Sequence, residues 1–447
     1  MEEVLIPSFI KPTFADTMRK YLNKAINDAI AEYREQGYSD FTRNRKLDMN
    51  TMIRFMLTMN GGSLNKELYE AGIEASPSAF VQQRKKLEIS VFQSILEYFN
   101  LLCSDEKKFK GYRIFAVDGT TVNLAYDETA ETYMKPTKPD RKGYNQIHCT
   151  PLFDVINKTF QSYCMVEPQK SHDEIGALLY NLNMIEDCIR EKTLIVGDRG
   201  FESYQTFARF NEMADISYLI RVKQGVNAMK AISQLPMKEL DVDLEFTLTT
   251  TQTKADKENG YIYINTHKKT GRIYKSRARR WTYGPKYHMK LRVVRVKLNT
   301  GEYETLVTSL PREEITAEEI KELYHARWGI ETAFREIKYN VGLSLLSGKS
   351  RAFAEQQVYC SMILSNFANR IIQSVVIENA QNNVHEYAVN RKMATYLCKE
   401  FFRDPWASGK ELMEQIAKYT EPVRPDRQDE RKIKPQSFKG FVYRVSA

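Results

Sequence analysis

Two aspartates, Asp118 and Asp198, each close a short apolar run and open a glycine-bearing turn: Ile114-Phe115-Ala116-Val117-Asp118-Gly119 and Thr193-Leu194-Ile195-Val196-Gly197-Asp198-Arg199-Gly200. Runs of that kind read as buried strands, and in α/β sheets ligand sites collect at the carboxyl ends of strands. An aspartate in that place is, by itself, most often a turn residue that bonds its own backbone. A third element is more telling. Ile315-Thr316-Ala317-Glu318-Glu319-Ile320 is a capping box with a hydrophobic staple, which starts a helix at Thr316. At about 100° per residue, Ile320, Leu323, Ile330, Phe334, Ile337 and Val341 form an apolar stripe about 100° wide. Tyr324, Arg327, Glu331 and Lys338 fall within about 60° of one another along its edge. These four therefore line a border between core and solvent, where an active-site cleft would lie. No Ser-His or Cys-His arrangement sits at motif spacing, so the groups on offer are carboxylates and cations, without a side-chain nucleophile and its base.

The elements that must position these residues change character along the chain. Residues 1 to about 105 read as helical. Leu47 to Met59 has apolar residues at helical spacing and stops at Gly61-Gly62. Ser76-Pro77 then supplies a cap and a first-turn proline ahead of Ala79 to Leu87, which ends in basic residues including Arg84 and Lys85. Helix, glycine turn and basic helix suit a helix-turn-helix-like DNA reader, with Arg84 and Lys85 as its contacts. From Tyr112 strands alternate with helices: His148 to Ile156, Phe160 to Val166 and Ile216 to Val222 join the two Asp-tipped strands, with helices over 173–189 and 203–213. That alternation predicts an α/β domain with a central sheet covered on both faces. Residues 223 to about 303 are rich in β-branched and aromatic residues and read as an all-β insertion. Helices resume at Thr316 and run to about Tyr419, before a charged, proline-containing tail.

Composition is that of an ordinary globular chain, 42% hydrophobic and 28% charged, and 447 residues predict more than one domain. Lys and Arg outnumber Asp and Glu by 66 to 57, which favours a polyanionic partner. The six cysteines are scattered with no Cys-x-x-Cys pair, which argues against a zinc knuckle or a disulfide framework. The opening residues lack a basic region followed by an apolar run, and no apolar stretch approaches about 18 residues, so a cytoplasmic protein with no membrane partner is expected.

The segment Tyr324-His325-Ala326-Arg327-Trp328-Gly329-Ile330-Glu331, with Lys338 seven residues on, resembles the Tyr-Arg-Glu-Lys signature of DDE transposases from bacterial insertion sequences. The spacing Tyr-x2-Arg-x3-Glu-x6-Lys matches without a gap. Val117-Asp118-Gly119-Thr120 resembles that family's first Asp motif and Gly197-Asp198-Arg199-Gly200-Phe201 its second, so the resemblance spans roughly residues 75 to 370. It implies an RNase H-like α/β core interrupted by the β insertion, between an N-terminal helical domain and C-terminal helices. The expected divisions are 1–105, a helical DNA-binding domain; 106–222, the first part of the core; 223–310, the β insertion; 311–350, the catalytic helix; 351–420, C-terminal helices; and 421–447, a basic tail.

The same resemblance implies the chemistry. Phosphodiester cleavage needs an activated water and a stabilised leaving 3′-oxygen, and two Mg²⁺ ions (or Mn²⁺ in their place) about 3.5–4 Å apart supply both through carboxylate ligands. Asp118 would bridge the metals, with Asp198 and Glu331 each holding one. Arg327 and Lys338 would ground phosphates as fork and point charge, and Tyr324 would add a hydroxyl bond near the cleaved end. The partners implied are double-stranded DNA, both element ends and target, and a second copy of the chain once ends are paired. Two rivals stay open: an element-derived DNA-binding protein without catalysis, and a nuclease on the same fold.

Between His267 and Lys297 stand twelve Lys or Arg and no Asp or Glu, which predicts a phosphate track. Trp281, Tyr283 and Tyr287 sit inside it. In the resembled family the insertion helps hold a flipped base, so Trp281 is a candidate stacking residue; otherwise it packs the insertion's own core. Asp154 in Leu152-Phe153-Asp154-Val155 is expected to be a strand-end turn residue, not a fourth catalytic carboxylate, and Trp328 a packing or hinge aromatic.

Overall fold

The structure is a computed structural model. It describes residues 12–423 apart from 39, 42–45, 104–106, 137–141, 169–172, 187–191, 226–227, 265–280, 299, 344–345, 347 and 378–385. Lys268 to Arg280, the densest part of the basic run, and the tail from residue 424 lie outside the described residues.

Five helices come first: α1 (Phe14–Glu35), α2 (Met49–Thr58), α3 (Leu64–Glu70), α4 (Pro77–Arg84) and α5 (Ile89–Leu102). Their starts follow the capping chemistry in the sequence. Thr13 forms a capping box with Asp16, Asp48 accepts from the Thr51 N–H, and Ser76 accepts from the Ala79 N–H with Pro77 in the first turn. These helices bury Leu22, Ile26, Phe55, Phe92 and Phe99 in a core shared with the sheet and the C-terminal helices.

The sheet follows. β1 (Arg113–Val117), β2 (Thr120–Leu124), β3 (Tyr133–Met134), β4 (Tyr144–Asp154) and β5 (Thr159–Pro168) lead to α6 (Glu174–Glu186), β6 (Thr193–Gly197), α7 (Tyr204–Asn211) and β7 (Ile216–Val222). Next come α8 (Lys230–Ser233), β8 (Leu240–Thr249), α9 (Lys254–Glu258), β9 (Ile262–Tyr263), β10 (Lys286–Lys297) and β11 (Tyr303–Thr308). The strands join one mixed sheet in the order β2-β4-β1-β6-β7-β11-β10-β8-β9, with β3 and β5 also on β4. β1, β6 and β7 run parallel, and their register pairs Val117 with Gly197 and Gly197 with Ile220. The segment between residues 223 and 310 therefore extends the main sheet through β11 on β7, and it carries the short helices α8 and α9 as well as strands.

The period of two along each strand sorts residues onto two faces. Ile114, Ala116, Leu194, Val196, Leu219 and Leu306 face one core, with α10 (Ala317–Ala326), α11 (Trp328–Tyr339) and α12 (Arg351–Ser374). Phe115, Val117, Ile195, Tyr218, Ile220 and Val307 face the other, with Leu178 and Leu182 of α6 and Phe207 and Phe210 of α7. Each such Leu, Ile or Phe contributes about 1.5–3 kcal/mol on burial, so the two cores fix the sheet firmly between its helical layers. The chain ends with β12 (Tyr387–Val389), α13 (Arg391–Arg403), α14 (Gly409–Lys418) and β13 (Thr420–Pro422), with β12 and β13 paired. Among the described residues no helix is long and apolar enough to cross a membrane.

Candidate active site

Asp118 and Asp198 leave adjacent parallel strands at matching heights, one residue beyond the Val117–Gly197 pair. Both continue the face occupied by Ile114-Ala116 and Leu194-Val196, which is the face that α10 and α11 cover. Each also does the ordinary work of a turn residue. Asp118 accepts from the Gly119 N–H at 2.8 Å, and Asp198 accepts from the Gly200 N–H at 2.7 Å, capping the single helical turn Arg199–Phe201. A Cβ at Gly200 would stand 2.7 Å from Asp198 Oδ1 and 2.9 Å from Glu174 Oε2, so any larger residue there would push the Asp198 carboxylate from its place. At Gly119 a Cβ would collide with the His148 ring.

Thr316 caps α10 in a full capping box with Glu319, and Ile315 and Ile320 are both buried beside it. The helix is not continuous, however. It breaks at Arg327, which ends α10 and precedes α11, and the two pieces carry Tyr324 and Glu331 on either side of the break. Arg327 Nη2 reaches back to Glu331 Oε1 at 3.2 Å. Its guanidinium lies 5.7 Å from the Tyr324 ring centroid and 5.1 Å from that of Trp328, which is itself 42% exposed.

The electrostatics bind these groups into one site. The pKa of Asp118 is pushed up to about 6, chiefly by burial, with the charges of Asp198 and Glu331 adding to it and the Gly119 N–H and Arg327 opposing. Burial works against the charge on Arg327, but Tyr324, Asp118, Glu331 and Asp198 outweigh it and hold its pKa above the usual arginine range. Lys338 feels burial, which lowers its pKa, and senses Cys149 on β4. Cys149 is paired with Thr120, two residues past Asp118, so Lys338 stands on the β4 side of the carboxylates. The structure thus brings together Asp118, Asp198, Glu331, Arg327 and Tyr324, with Lys338 alongside. Tyr324 and Arg327 are only 4% and 5% exposed, so both act from within the protein.

Two residues that the sequence reading passed over complete this edge. Arg221, at the end of β7, is the next position in the row after Asp118 and Asp198, and it makes an ion pair with Glu304 of β11 at 3.2 Å. Its place at the end of an apolar strand was the available signal. The neighbouring strand order was not visible.

Other expected contacts lie elsewhere. Arg84 is 1% exposed, donating to Gln356 Oε1 at 2.8 Å and to the Phe353 carbonyl at 2.9 Å, so it ties α4 to α12 and is closed off from the surface where the sequence placed a contact. Its neighbour Lys85 is exposed. Trp281 packs with Tyr283 and Tyr287, at ring centroid distances of 5.1 and 5.6 Å, against the core on the opposite sheet face from the carboxylates. Of the described cations in the basic run, Lys290 pairs with Glu245, Arg292 with Asp241 at 2.7 Å and Lys286 with Asp256, while Arg295 bonds the Thr305 hydroxyl and the Pro236 carbonyl. Two of these acidic partners come from β8, which runs beside β10, and the cations from Lys268 to Arg280 lie outside the described residues. Asp154 is a turn residue, fully buried, accepting from the Ile156 and Asn157 N–H groups.

The donor set is all carboxylate oxygen, which suits hard divalent cations. Mutual repulsion among the three carboxylates, visible at Asp118, is what a dication would relieve. Among the described residues no three side chains of ligand type close on a single point.

A family profile described as "Transposase DDE domain" matches residues 109–367. Over 85 residues the chain is 33% identical to a protein of Escherichia coli K12 named as the transposase InsL of insertion sequence element IS186A, covering 19% of this chain and 23% of that one. The same figures hold for the transposase of insertion sequence element IS421 from Escherichia coli. The match thus spans about a quarter of the length of these relatives. Among solved structures, the piggyBac transposase synaptic complex with hairpin DNA aligns over 96% of this chain and 87% of that one, at 12% identity and a TM-score of 0.41.

Proposed function

The chain belongs to the transposase DDE domain family, and from that premise we propose that it cleaves the ends of a mobile DNA element and joins the freed 3′-OH to target DNA. The observation that carries the reading is the convergence of Asp118 and Asp198, from adjacent strand ends, with Glu331, from the helix laid over them. The strand order β5-β4-β1-β6-β7, antiparallel on one side of β1 and parallel on the other, supports an RNase H-like core, with β8 to β10 as its insertion.

In this reading Asp118, Asp198 and Glu331 would hold two Mg²⁺ ions, with Mn²⁺ able to take their place. Such ions would supply activation of the attacking hydroxyl and neutralisation of charge on the leaving oxygen. The chain's own groups do the rest. Arg327 keeps Glu331 turned to the site through its 3.2 Å bond, and burial strengthens that pairing. Lys338 and Arg221 flank the carboxylates on opposite sides and offer cations to the non-bridging phosphate oxygens on either side of the scissile bond. A phosphate brought between them is held in line with the carboxylates, and that positioning accounts for much of the rate in phosphoryl transfer. Cutting needs one copy of the site per end, and two ends held together call for a homodimer.

The test is a joining assay. A labelled duplex carrying the inverted repeat beside the coding region is mixed with protein, target plasmid and Mg²⁺. Transfer of the labelled 3′ strand into plasmid is expected. Nicking without joining would favour a nuclease, and binding without either would favour a silent DNA-binding protein.

A further inference from the structure

Glu304 is a buried carboxylate at the catalytic edge of the sheet, and the cleavage chemistry just described does not use it. It is 8% exposed, while its partner Arg221 is 40% exposed at the side chain. The two sit on neighbouring antiparallel strands, with Leu306 opposite Arg221 and Thr305 opposite Val222. By the period of two, Glu304 shares the face of Leu306, which is the face of Leu219, Asp118 and Asp198. Four groups therefore form a row across strand ends: Asp118, Asp198, Arg221, Glu304. α10 packs on β7 and β10 above this row, bringing Tyr324 within the field of both Arg221 and Glu304.

We propose that Glu304 is a positioning residue for DNA cleavage: from β11 it holds the Arg221 guanidinium beside Asp198, so that the exposed side of the fork meets a phosphate of the cut end. The proposal rests on the DNA-cleaving reading of the same site. An acidic side chain next to a polyanion's binding surface is electrostatically unfavourable unless it does something a neutral residue could not. Here burial pushes the Glu304 carboxyl up, while Arg221 leads the cations that pull it back, followed by Arg327, His325 and Lys321. Glu304 is thus the acidic centre of a cationic cluster. A guanidinium presents five donors in one plane, so it can bond a carboxylate with one edge and a phosphate with another. A lysine in its place could not keep both in fixed geometry.

A merely structural or charge-balancing Glu304 and a positioning one behave differently on Glu304→Gln. The probe is the inverted-repeat duplex, read by fluorescence anisotropy for binding and by single-turnover cleavage for rate. On the proposal, Glu304→Gln binds the duplex at least as tightly as wild type, because a negative charge has gone, yet cleaves about tenfold to a hundredfold more slowly because Arg221 is no longer aimed. Arg221→Gln shows a similar slowing, and the double variant is no slower than Arg221→Gln alone. Cleavage by Glu304→Gln at the wild-type rate, or losses that multiply in the double variant, overturns the proposal. Should the buried amide prevent folding, Arg221→Lys decides: slow cleavage with intact binding supports positioning, and wild-type cleavage overturns it. Asp118→Ala run in parallel keeps the two readings apart. Wild-type cleavage that Asp118→Ala abolishes upholds the DNA-cleaving assignment whatever Glu304→Gln does.

Discussion

Replacing Arg84 with methionine should unfold the protein more readily while leaving the electrostatics of DNA binding untouched. Arg84 ends α4 with its guanidinium enclosed: Nε donates to Gln356 Oε1 at 2.8 Å, Nη2 donates to the Phe353 carbonyl at 2.9 Å, and the group lies 4.4 Å from the Phe353 ring centroid. Gln356 in turn donates to the Leu87 carbonyl at 2.8 Å, so one side chain of α12 is locked to the end of α4. Methionine fills much of the volume but leaves Gln356 Oε1 buried without this donor, while the Phe353 carbonyl keeps its bond within α12. Such an orphan costs about 1–3 kcal/mol, and the lost cation–π contact about 1–2 kcal/mol more. The expected loss is about 2–5 kcal/mol, read from the urea transition at constant slope. A phosphate contact would instead show in the salt dependence of DNA affinity, whose logarithmic slope drops by about 0.9 per contact removed. Arg84→Met as stable as wild type, with a slope reduced by about one, would refute the structural role.

Three further outcomes are expected. In metal-free buffer with EDTA, the raised proton affinity of Asp118 means that its ionisation opposes folding: the cost is absent well below pH 3.8, grows between 3.8 and about 6, and is present in full at pH 8. Asp118→Asn should therefore stabilise the metal-free protein at pH 8 by up to about 3 kcal/mol, from the distance between 3.8 and about 6, and by a small fraction of that near pH 4; equal gains at both pH values would contradict this. Cleavage should require Mg²⁺ or Mn²⁺, with Ca²⁺ allowing the protein–DNA complex to assemble but not to cut, since its looser coordination suits a tight two-ion site poorly; robust cutting in excess EDTA would remove the metal from the account. Trp281→Ala should lower stability by about 1–3 kcal/mol through lost packing of this partly buried ring on Tyr283 and Tyr287 while keeping the wild-type ratio of nicking to double-strand cleavage; a selective loss of second-strand cleavage would restore Trp281 as a base-stacking residue.

Local chemistry made the site legible in the sequence, and long-range pairing hid the rest. Asp118 and Asp198 could be found because an apolar run ending in Asp and glycine marks a strand end. Thr316 and Glu319 announced the helix because a capping box is complete within four residues. The helical arithmetic from Tyr324 to Lys338 grouped the right side chains because Arg327, where α10 gives way to α11, keeps helical dihedrals of φ −50° and ψ −35°. Arg84 looked like a DNA contact because its partner Gln356 lies 272 residues away. The acidic partners within the described part of the basic run were hidden for a related reason. Charge read along a strand omits its neighbour, and Glu245 and Asp241 of β8 pair with Lys290 and Arg292 of β10. Arg221 and Glu304 escaped notice because only the strand order places them beside Asp198.

The most direct measurement compares strand cleavage and end binding for Asp118→Ala, Asp198→Ala and Glu331→Ala on the inverted-repeat duplex in Mg²⁺. Each variant is expected to bind the duplex with nearly wild-type affinity, since none of the three carboxylates packs a core, and each is expected to lose cleavage entirely. Near-normal cleavage by any one of them would contradict the assignment of that carboxylate, and with it the shared site on which the mechanism stands.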